Sequence, residues 1–411
     1  FTQGSGYKSF DYYSAGVNVL IDKFLPRRDW LNQLKWRGSW SVVGNPIPNT
    51  LFARQSYDFS NGTISTRPPL FDDPQPETTT SFETGLDVWM FENKFNFDLT
   101  YYNSTLRNQF LYVTTANGES KPVNTGKIRN YGLEFQASYR WNINKDWRWQ
   151  TGFNIAWNDN RILETYKTES GAPYEVQMGP NAFKIKYVEG GRYGDIYVNS
   201  FARDENGHIK INDAGNYENA VPVMASGKYE TKVGNMTSPV TLGWNNTFTW
   251  KNFTLYFLID GRIGGKVMSL TEADLDLYGL SERSAQDRLN GERVMQNGKE
   301  YILKPLPDGS GNKVSVENYY TTIGALPMED HVYNATSLRM RDISLSYDMP
   351  NLFGKNQGMT AQFSVKNAFF IYKDSPVDPD ISVSAANGYS GIDCYSLPTT
   401  RSFALTLKFN F

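Results

Sequence analysis

The chain closes with the stretch Arg401-Ser402-Phe403-Ala404-Leu405-Thr406-Leu407-Lys408-Phe409-Asn410-Phe411, in which apolar and polar side chains alternate strictly from Ser402 onward. Successive side chains of a strand point to opposite sides, so all the apolar members fall on one face. About ten residues is the length that a tilted strand needs to cross a lipid bilayer. The stretch therefore predicts a membrane-spanning strand. We also interpret its apolar positions as a signal for barrel assembly, namely Phe403, Leu405, Leu407, Phe409 and Phe411.

The same alternation recurs along the chain, mostly in pairs of segments such as 82–90 with 95–101 and 240–250 with 253–259. The intervening positions are Ser, Thr, Asn, Gln, Gly and charged residues, as a wet interior requires. A membrane helix needs about 20 apolar residues in a row. The longest apolar run, 255–259, is far shorter. The pattern predicts an all-β fold, a transmembrane antiparallel β-barrel to which this chain contributes about 11 strands.

One segment changes its parity. Leu338 and Met340 fall on one face, whereas Ile343 and Leu345 fall on the other. An extra residue in a strand reverses which face each later side chain occupies. We therefore predict a β-bulge near 341–342, which would return all four apolar residues to the lipid side.

The connections alternate sharply in length. Short ones link the members of each pair, and the long ones cover about 44–78, 105–129, 159–238, 263–336 and 371–400. Outer-membrane barrels have short periplasmic turns and long extracellular loops. This rule places Phe1 in an extracellular loop. Because single-chain bacterial barrels have even strand numbers, an odd count predicts that part of the barrel lies outside this chain.

Local motifs predict aromatic and loop structure. Trp141, Trp147 and Trp149 flank a short turn, where an interfacial girdle is expected, although cross-strand pairing is the alternative. Asn206-Gly207 predicts a type I′ hairpin. In the next long loop, Ser269 to Glu272 resembles a helix-capping box, and 281–295 has helical composition.

Composition excludes several classes of protein. The formal net charge of −2 argues against a general nucleic-acid binder. A single cysteine, Cys394, excludes an internal disulfide framework and is expected to be a free thiol in a loop. His208 and His331 are expected to be ordinary surface or hydrogen-bonding histidines. No catalytic constellation emerges, so the chain is not predicted to be an enzyme; an outer-membrane protease or lipase would need a Ser/His/Asp cluster on the rim.

Candidate binding residues are few. Tyr102 and Tyr256 have the parity of the barrel interior, so they are candidates to contact a substrate. Arg339 and Arg341 either face the interior in the same role or pair with acidic neighbours. Carboxylates at 374, 378 and 380 could serve Ca²⁺, but the spacing of an EF-hand is absent. We expect structural loop contacts there and no cofactor.

Six motifs, in order along the chain, resemble the SusC-like TonB-dependent transporters of Bacteroidetes outer membranes (the RagA/SusC type). Each is short, but together they span most of the chain. They are Pro76–Asp87, Leu99–Asn103, Asn130–Glu134, Gly190–Tyr197, Ala335–Tyr347, and Asp378–Asp380 followed by Leu397–Arg401.

The resemblance implies a 22-stranded barrel of which 1–411 would form the C-terminal half. The plug, the TonB box and the N-terminal domain would belong to the other half of the same transporter, separated by cleavage or encoded apart. It further implies energy-coupled import of a nutrient oligomer, a glycan or an oligopeptide, across a Gram-negative outer membrane. Implied partners are a SusD-like surface lipoprotein over the long loops and the TonB complex, with a dimer of transporter–lipoprotein pairs.

Two other functions fit parts of the pattern. A passive porin shares the barrel, although long structured loops and the lack of a charge ladder count against it. A soluble all-β glycan-binding protein shares the alternating strands and the many aromatics. An upstream plug would exclude the porin, and solubility without detergent would favour the soluble protein.

Overall fold

The computed structural model describes residues 11–46, 54–58, 62–67, 75–114, 120–168, 171–178, 182–325, 328–355, 357–380, 382–383 and 391–410. Phe411, the last residue of the predicted assembly signal, lies outside them. The dominant feature is one sheet of 11 strands in which every strand pairs antiparallel with its neighbours in chain order. We call this sheet the wall. Its strand number and its antiparallel order confirm the prediction.

The wall strands follow one another without crossovers. Their bounds are β1 Tyr13–Leu20, β2 Leu31–Asn45, β3 Glu77–Met90, β4 Phe95–Arg107, β5 Lys127–Asn142, β6 Trp147–Glu164, β7 Val240–Trp250, β8 Phe253–Ile263, β9 Ser337–Gly354, β10 Gln357–Lys373 and β11 Ser402–Asn410.

The register of the wall places the apolar positions of neighbouring strands opposite one another. On β6, Phe153 pairs with Ala137 on one side and with Trp244 on the other. The terminal strand follows the same register, because Leu405 pairs with Phe363 of β10. Cross-strand partners share a face, so one face of the wall is aromatic and aliphatic and the other is polar. These are the faces that lipid and a wet lumen require.

The predicted β-bulge is present in β9. Met340 pairs with Ile259 of β8 and Asp342 pairs with Leu258, so Arg341 has no partner in that ladder. Beyond this extra residue, Ile343 pairs with Phe257. The apolar residues on both sides of the bulge therefore lie on one face, as predicted from the change of parity.

Short and long connections lie at opposite ends of the wall. The short ones are 21–30, which includes the 3₁₀ turn Ile21–Phe24, and 91–94, 143–146, 251–252 and 355–356. The long ones are 46–76, 108–126, 165–239, 264–336 and 374–401. The two ends therefore differ as the two sides of an outer membrane would require.

Aromatic rings form a row on the apolar face at the short-turn end. The rings of Trp147 and Trp250 stack with centroids 5.6 Å apart, and Phe253 continues the row at 6.0 Å from Trp250. Tyr347 follows at 4.5 Å from Phe253. These side chains and Trp141 are exposed. The row has the composition and position of an interfacial girdle.

Trp149, which the sequence also assigned to the girdle, lies in a different environment. Its ring is half-buried, and its indole N–H donates to Asn246 Oδ1 at 3.1 Å. Trp244 satisfies its N–H in the same way, on Thr151 Oγ1 at 2.9 Å. Since neither N–H is left for water, these two rings pack against the wall instead of marking the water boundary.

The long connections carry structure of their own. Three helices are α1 Leu270–Leu277, α2 Glu282–Asn290 and α3 Val316–Ala325, and a 3₁₀ turn covers Met328–His331. Among the described residues, no helix is both long enough and apolar enough to cross a bilayer. Small sheets are built from Arg54–Asp58 and Thr63–Arg67; Phe110–Thr114 and Ser120–Asn124; Val176–Met178, Phe183–Tyr187, Asp195–Val198 and Thr231–Asn235; Ile211–Asn212 and Val221–Pro222; Lys266–Ser269, Val332–Asn334 and Ile392–Asp393; and Glu292–Gln296, Lys299–Pro305 and Lys313–Ser315.

Two hydrophobic cores of the described residues lie mainly in these connections. The first combines Ile162 at the end of β6, Phe183, Met268 and Ile392. The second packs the tyrosines and isoleucine of α3 against the segments around 201–220 and 306–316. Burial of this kind is what folds a water-soluble domain. We call the described parts of 165–239, 264–336 and 374–401 the loop cap.

The loop motifs were predicted with mixed success. Ser269 caps α1, since its Oγ accepts from the Glu272 N–H at 3.0 Å. The helical prediction for 281–295 holds only to Asn290, because Glu292–Gln296 is a strand. The type I′ turn is wrong. That turn needs positive φ at both central residues, and of Asn206 and Gly207 only the glycine has it, at 84°.

We expect the two faces of β11 to differ in their tolerance of charge. Leu405→Arg places a cation against lipid near the middle of the strand and should lower the free energy of unfolding by about 2–4 kcal/mol. Thr406→Arg, one residue on, points to the polar face and is the matched control, with a much smaller loss. Urea unfolding in lipid vesicles measures both. Equal losses would contradict the assignment of faces.

Candidate functional site

The structure places Tyr102 and Tyr256 on the polar face of the wall. Tyr102 pairs with Gly132 of β5, and its hydroxyl accepts a hydrogen bond of 2.7 Å from Asn158 Nδ2. A Cβ at Gly132 would lie 2.5 Å from that hydroxyl, so only glycine leaves room for the ring. Tyr256 lies on β8, four strand spacings away, or about 19 Å along the sheet. The structure does not bring the two together, and substrate contact by either stays a prediction.

Arg339 is held in an ion network at the loop end of the wall. Only 3% of this residue is exposed. Its guanidinium donates to Asp378 Oδ1 at 2.5 Å and to Thr399 Oγ1 at 3.0 Å, and it lies 3.3 Å from Asp380 Oδ2. The guanidinium also lies 4.0 Å from the centroid of the Phe370 ring. A buried charge needs such partners because desolvation is costly.

Arg341, the bulged residue, extends the network. Its Nε donates to Asp260 Oδ2 at 2.6 Å and its Nη2 donates to Asp380 Oδ2 at 2.7 Å. Arg262 of β8 also binds Asp380. We call Arg262, Arg339 and Arg341 with Asp378 and Asp380 the arginine clamp. Two strands of the wall thereby hold the last long loop through two of its carboxylates.

The clamp explains the acidic motif that suggested a calcium site. In this structure the carboxylates of Asp378 and Asp380 bind arginines. Burial of Asp378 opposes its ionisation, but hydrogen bonds from Thr399 and the Asp380 N–H, together with the charge of Arg339, outweigh it. The pKa of Asp378 therefore lies below its ordinary value.

A second ionic cluster is buried in the loop cap. The side chains of Asp276 and His331 are both fully buried, with His331 Nε2 2.8 Å from Asp276 Oδ2. Arg283 binds the same carboxylate with its Nε at 2.8 Å from Oδ2, and Ser281 Oγ donates to Oδ1 at 2.5 Å. The sequence predicted that His331 is either a surface or a hydrogen-bonding histidine. The structure shows a buried, hydrogen-bonded one.

This cluster contains Ser, His and Asp but lacks the geometry of a hydrolase. In a catalytic triad the histidine lies between the serine and the aspartate, so that it can take the proton of the serine. Here Asp276 lies between Ser281 and His331, and Ser281 Oγ also accepts the Ser284 N–H that caps α2. The arrangement is a structural tie between α1, α2 and the 328–331 turn.

Six large apolar residues of the loop cap are strongly exposed. Each residue is between 63% and 90% exposed. We call them the apolar patch: Tyr278, Leu280, Leu289, Met295, Tyr395 and Leu397. Tyr395 is fixed to α1, because its hydroxyl binds Asp274 and its N–H donates to Thr271 Oγ1 at 2.7 Å. Exposed apolar clusters of this kind mark interaction surfaces.

Sequence reasoning missed the buried cluster and the apolar patch. Asp276 and Arg283 are 7 residues apart, but His331 is 55 and 48 residues from them, so no local spacing links the three. The patch draws on two separate loops. The local signs that these loops are folded were the capping box from Ser269 to Glu272, the helical composition of 281–295 and the turn at Asn206-Gly207.

A wall with one apolar face, one polar face, short turns at one end and folded loops at the other defines an outer-membrane β-barrel. The chain belongs to the TonB dependent receptor-like β-barrel family, whose model matches residues 2–368. This membership makes it an integral outer-membrane protein of a family of transport proteins, not enzymes. It decides against the soluble glycan-binding protein.

Individual relatives agree with this assignment. TonB-dependent receptor P3 of Formosa agariphila is 23% identical over 452 aligned residues, which take in all of this chain and 42% of the relative. TonB-dependent receptor SusC of Bacteroides thetaiotaomicron is 24% identical over 443, with all of this chain and 41% of the relative. The resemblance to SusC-like transporters is confirmed, and the chain spans less than half the length of these relatives.

Solved structures show the same fold. The RagAB peptide importer in its open–open state superposes with a TM-score of 0.69 at 18% identity, over 99% of this chain and 43% of that one. Another structure of the RagAB peptide transporter gives 0.68 at 17% identity, over 97% and 43%.

Loss of Arg339 should release the last long loop. Arg339→Met leaves Asp378 buried without its cation, a change that costs about 3–5 kcal/mol for buried pairs. We expect 374–401 to become cleavable by protease in intact membranes. Arg293→Met is the control, because Arg293 and Glu300 form an exposed pair and such pairs contribute little. Unchanged resistance of the Arg339 variant would show that the clamp does not hold the loop.

The loop cap should weaken at low pH. Burial raises the pKa of Asp276, but hydrogen bonds from His331, Arg283 and Ser281 outweigh it and lower that pKa to about 2. The pKa of an aspartate in the unfolded chain is about 3.9. The stabilisation is therefore full above that value and is lost as the pH falls through 2.

Thermal unfolding, followed by tyrosine near-UV circular dichroism from pH 6 to pH 2, measures this loss. Asp276→Asn is the control and should be less stable at pH 6 with a flatter dependence on pH. Parallel curves for the two proteins would contradict the role of Asp276.

Proposed function

We propose that the complete transporter imports a nutrient oligomer, a glycan or an oligopeptide, by TonB-dependent transport across the outer membrane. In this proposal a SusD-like lipoprotein sits on the loop cap, and the TonB complex acts through a plug outside this chain. Family membership and the similarity to SusC support the proposal. Two such transporter–lipoprotein pairs form a dimer in this proposal.

The observation that carries the proposal is the folded loop cap with its apolar patch. A channel for passive diffusion has no need of six large apolar side chains on the outer surface of its loops. Their burial under a partner would remove that exposed area from water, which is favourable. Tyr395 of the patch is fixed to α1 by its hydrogen bonds, and an ordered side chain lowers the entropic cost of docking.

Uptake in cells tests the transport step. We expect a deletion of the transporter gene to abolish growth on one oligomer class, either glycans or peptides, and a TonB deletion to have the same effect. Growth on the corresponding monomers is the control. Oligomer uptake that persists without TonB would refute energy-coupled import.

Substitutions in the apolar patch test the partner. Leu289→Asp with Leu397→Asp should lower the amount of SusD-like lipoprotein that purifies with the transporter. Glu282→Lys with Arg293→Glu changes exposed charge on the same loop without touching the patch, and is the matched control. Full retention of the lipoprotein by the patch variant would show that the partner docks elsewhere.

A further inference from the structure

A groove of about 510 Å³ lies on the apolar face of the wall. It crosses six neighbouring strands, from Phe95 of β4 to Leu338 of β9, a span of about 24 Å across the sheet. Phe95 is the first residue of β4 at the short-turn end, and Leu338 is the second residue of β9 at the loop end. The groove therefore runs through the depth of the membrane-spanning part of the wall, whose hydrocarbon layer is about 30 Å thick.

Small residues form the floor of this groove. Ala137 of β5 pairs with Phe97 on one side and with Phe153 on the other, so a methyl group lies between two rings. On β8 the corresponding small residue is Gly261, which pairs with Leu338. Leu338 leans over it, because a Cβ at Gly261 would lie 2.9 Å from Leu338 Cδ1. The floor is therefore lower than the large side chains on either side.

The polar side chains that border the groove are bonded within the wall. Trp244 Nε1 donates to Thr151 Oγ1 at 2.9 Å, and that hydroxyl donates to the Asn245 C=O at 3.2 Å. Ser138 Oγ donates to Asn96 Oδ1 at 2.8 Å. No charged side chain lines the groove. An occupant therefore gains free energy by burying apolar surface and by filling the space between the rings.

The two ends of the groove differ in charge. At the short-turn end, Lys94 is exposed and makes only an exposed pair with Glu92 at 2.7 Å, which is a weak interaction. Tyr139, which pairs with Phe95, lies beside this turn, because the Arg140 N–H donates to the Lys94 C=O at 2.7 Å. Among the described residues, the Tyr139 hydroxyl has no hydrogen-bond partner. An ammonium and a free hydroxyl at this boundary suit the phosphate of a lipid headgroup.

The loop end has no such group. Arg262 follows Gly261, and Arg339 follows Leu338, so both arginines point to the opposite, polar face of the wall. Both are held there by Asp380 in the arginine clamp. An anionic headgroup therefore finds its cation at the short-turn end.

We propose that the groove holds one acyl chain of a resident phospholipid, whose headgroup lies at the short-turn end beside Lys94 and Tyr139. The apolar face of an integral outer-membrane protein meets hydrocarbon, and all six strands of the groove have neighbours of this chain on both sides. A long, narrow and apolar groove fits an extended hydrocarbon chain. Such a lipid differs from the exchanging lipids around it, because it is held between rings. The inference does not depend on the proposed function.

Lipid analysis of the intact transporter tests the proposal. The protein is purified in detergent and washed, and the lipids that remain are extracted and identified by mass spectrometry. We expect phospholipid to be retained in a fixed ratio to the protein. Ala137→Leu raises the floor of the groove and should lower that ratio about tenfold, the effect of excluding about two methylene groups.

Ala361→Leu is the matched control for this experiment. Ala361 of β10 lies on the same apolar face, between Tyr347 and Leu407, but outside the groove. It should retain phospholipid as the wild type does. Equal retention by the Ala137 variant overturns the proposal. Lipopolysaccharide in place of phospholipid overturns it too, because that lipid belongs to the leaflet at the loop end.

Photolabelling provides a second measurement that needs no variant. Phosphatidylethanolamine with a diazirine on one acyl chain is mixed into vesicles that contain the intact transporter, and the labelled residues are identified after digestion. Label should concentrate on Trp244 and Ile259 in the groove rather than on Phe363 and Leu407, which are at least as exposed on the same face. Uniform labelling of the face contradicts a resident lipid. Labelling of the groove only after a dimer is dissociated would show that a second copy of the transporter covers it, and the proposal would be wrong.

Discussion

Every backbone N–H and C=O group within a bilayer must find a partner in the protein, because lipid offers none. In this chain, continuous strand pairing from β1 to β11 meets that constraint. Each strand pairs with its neighbours in sequence, and short turns join the strands two by two. Once the register is set, the side chains sort by parity. The apolar face, the polar face and the aromatic row all follow from that pairing.

Charges in the wall obey a related constraint. At the loop end, Arg339 and Arg341 are neutralised by carboxylates that arrive from a loop, so the wall and the loop cap share one ion network. The bulge at Arg341 is part of this arrangement. It restores the apolar face of β9 and at the same time directs an arginine toward Asp260 and Asp380.

The sequence predicted the wall well because lipid imposes a period of two on each strand. Even the change of parity between Leu338 and Leu345 was informative, because a one-residue β-bulge is the feature that produces such a change. The loop cap obeys no such period. Its strands are short, and α3 lacks the Ser-x-x-Glu capping box that revealed α1, although Ser315 Oγ accepts the Asn318 N–H at 3.2 Å. The contacts of His331 depend on Asp276, 55 residues away, which no local pattern can show.

The first core of the loop cap joins Phe183, Met268 and Ile392, which come from three different connections of the wall. None of these connections can complete that core alone. The segments must all have crossed to the same side of the membrane before they can meet, and Ile392 lies in the last connection before β11. Formation of the core is therefore a late event in biogenesis. A folded cap therefore requires that the strands up to β10 have already crossed the membrane.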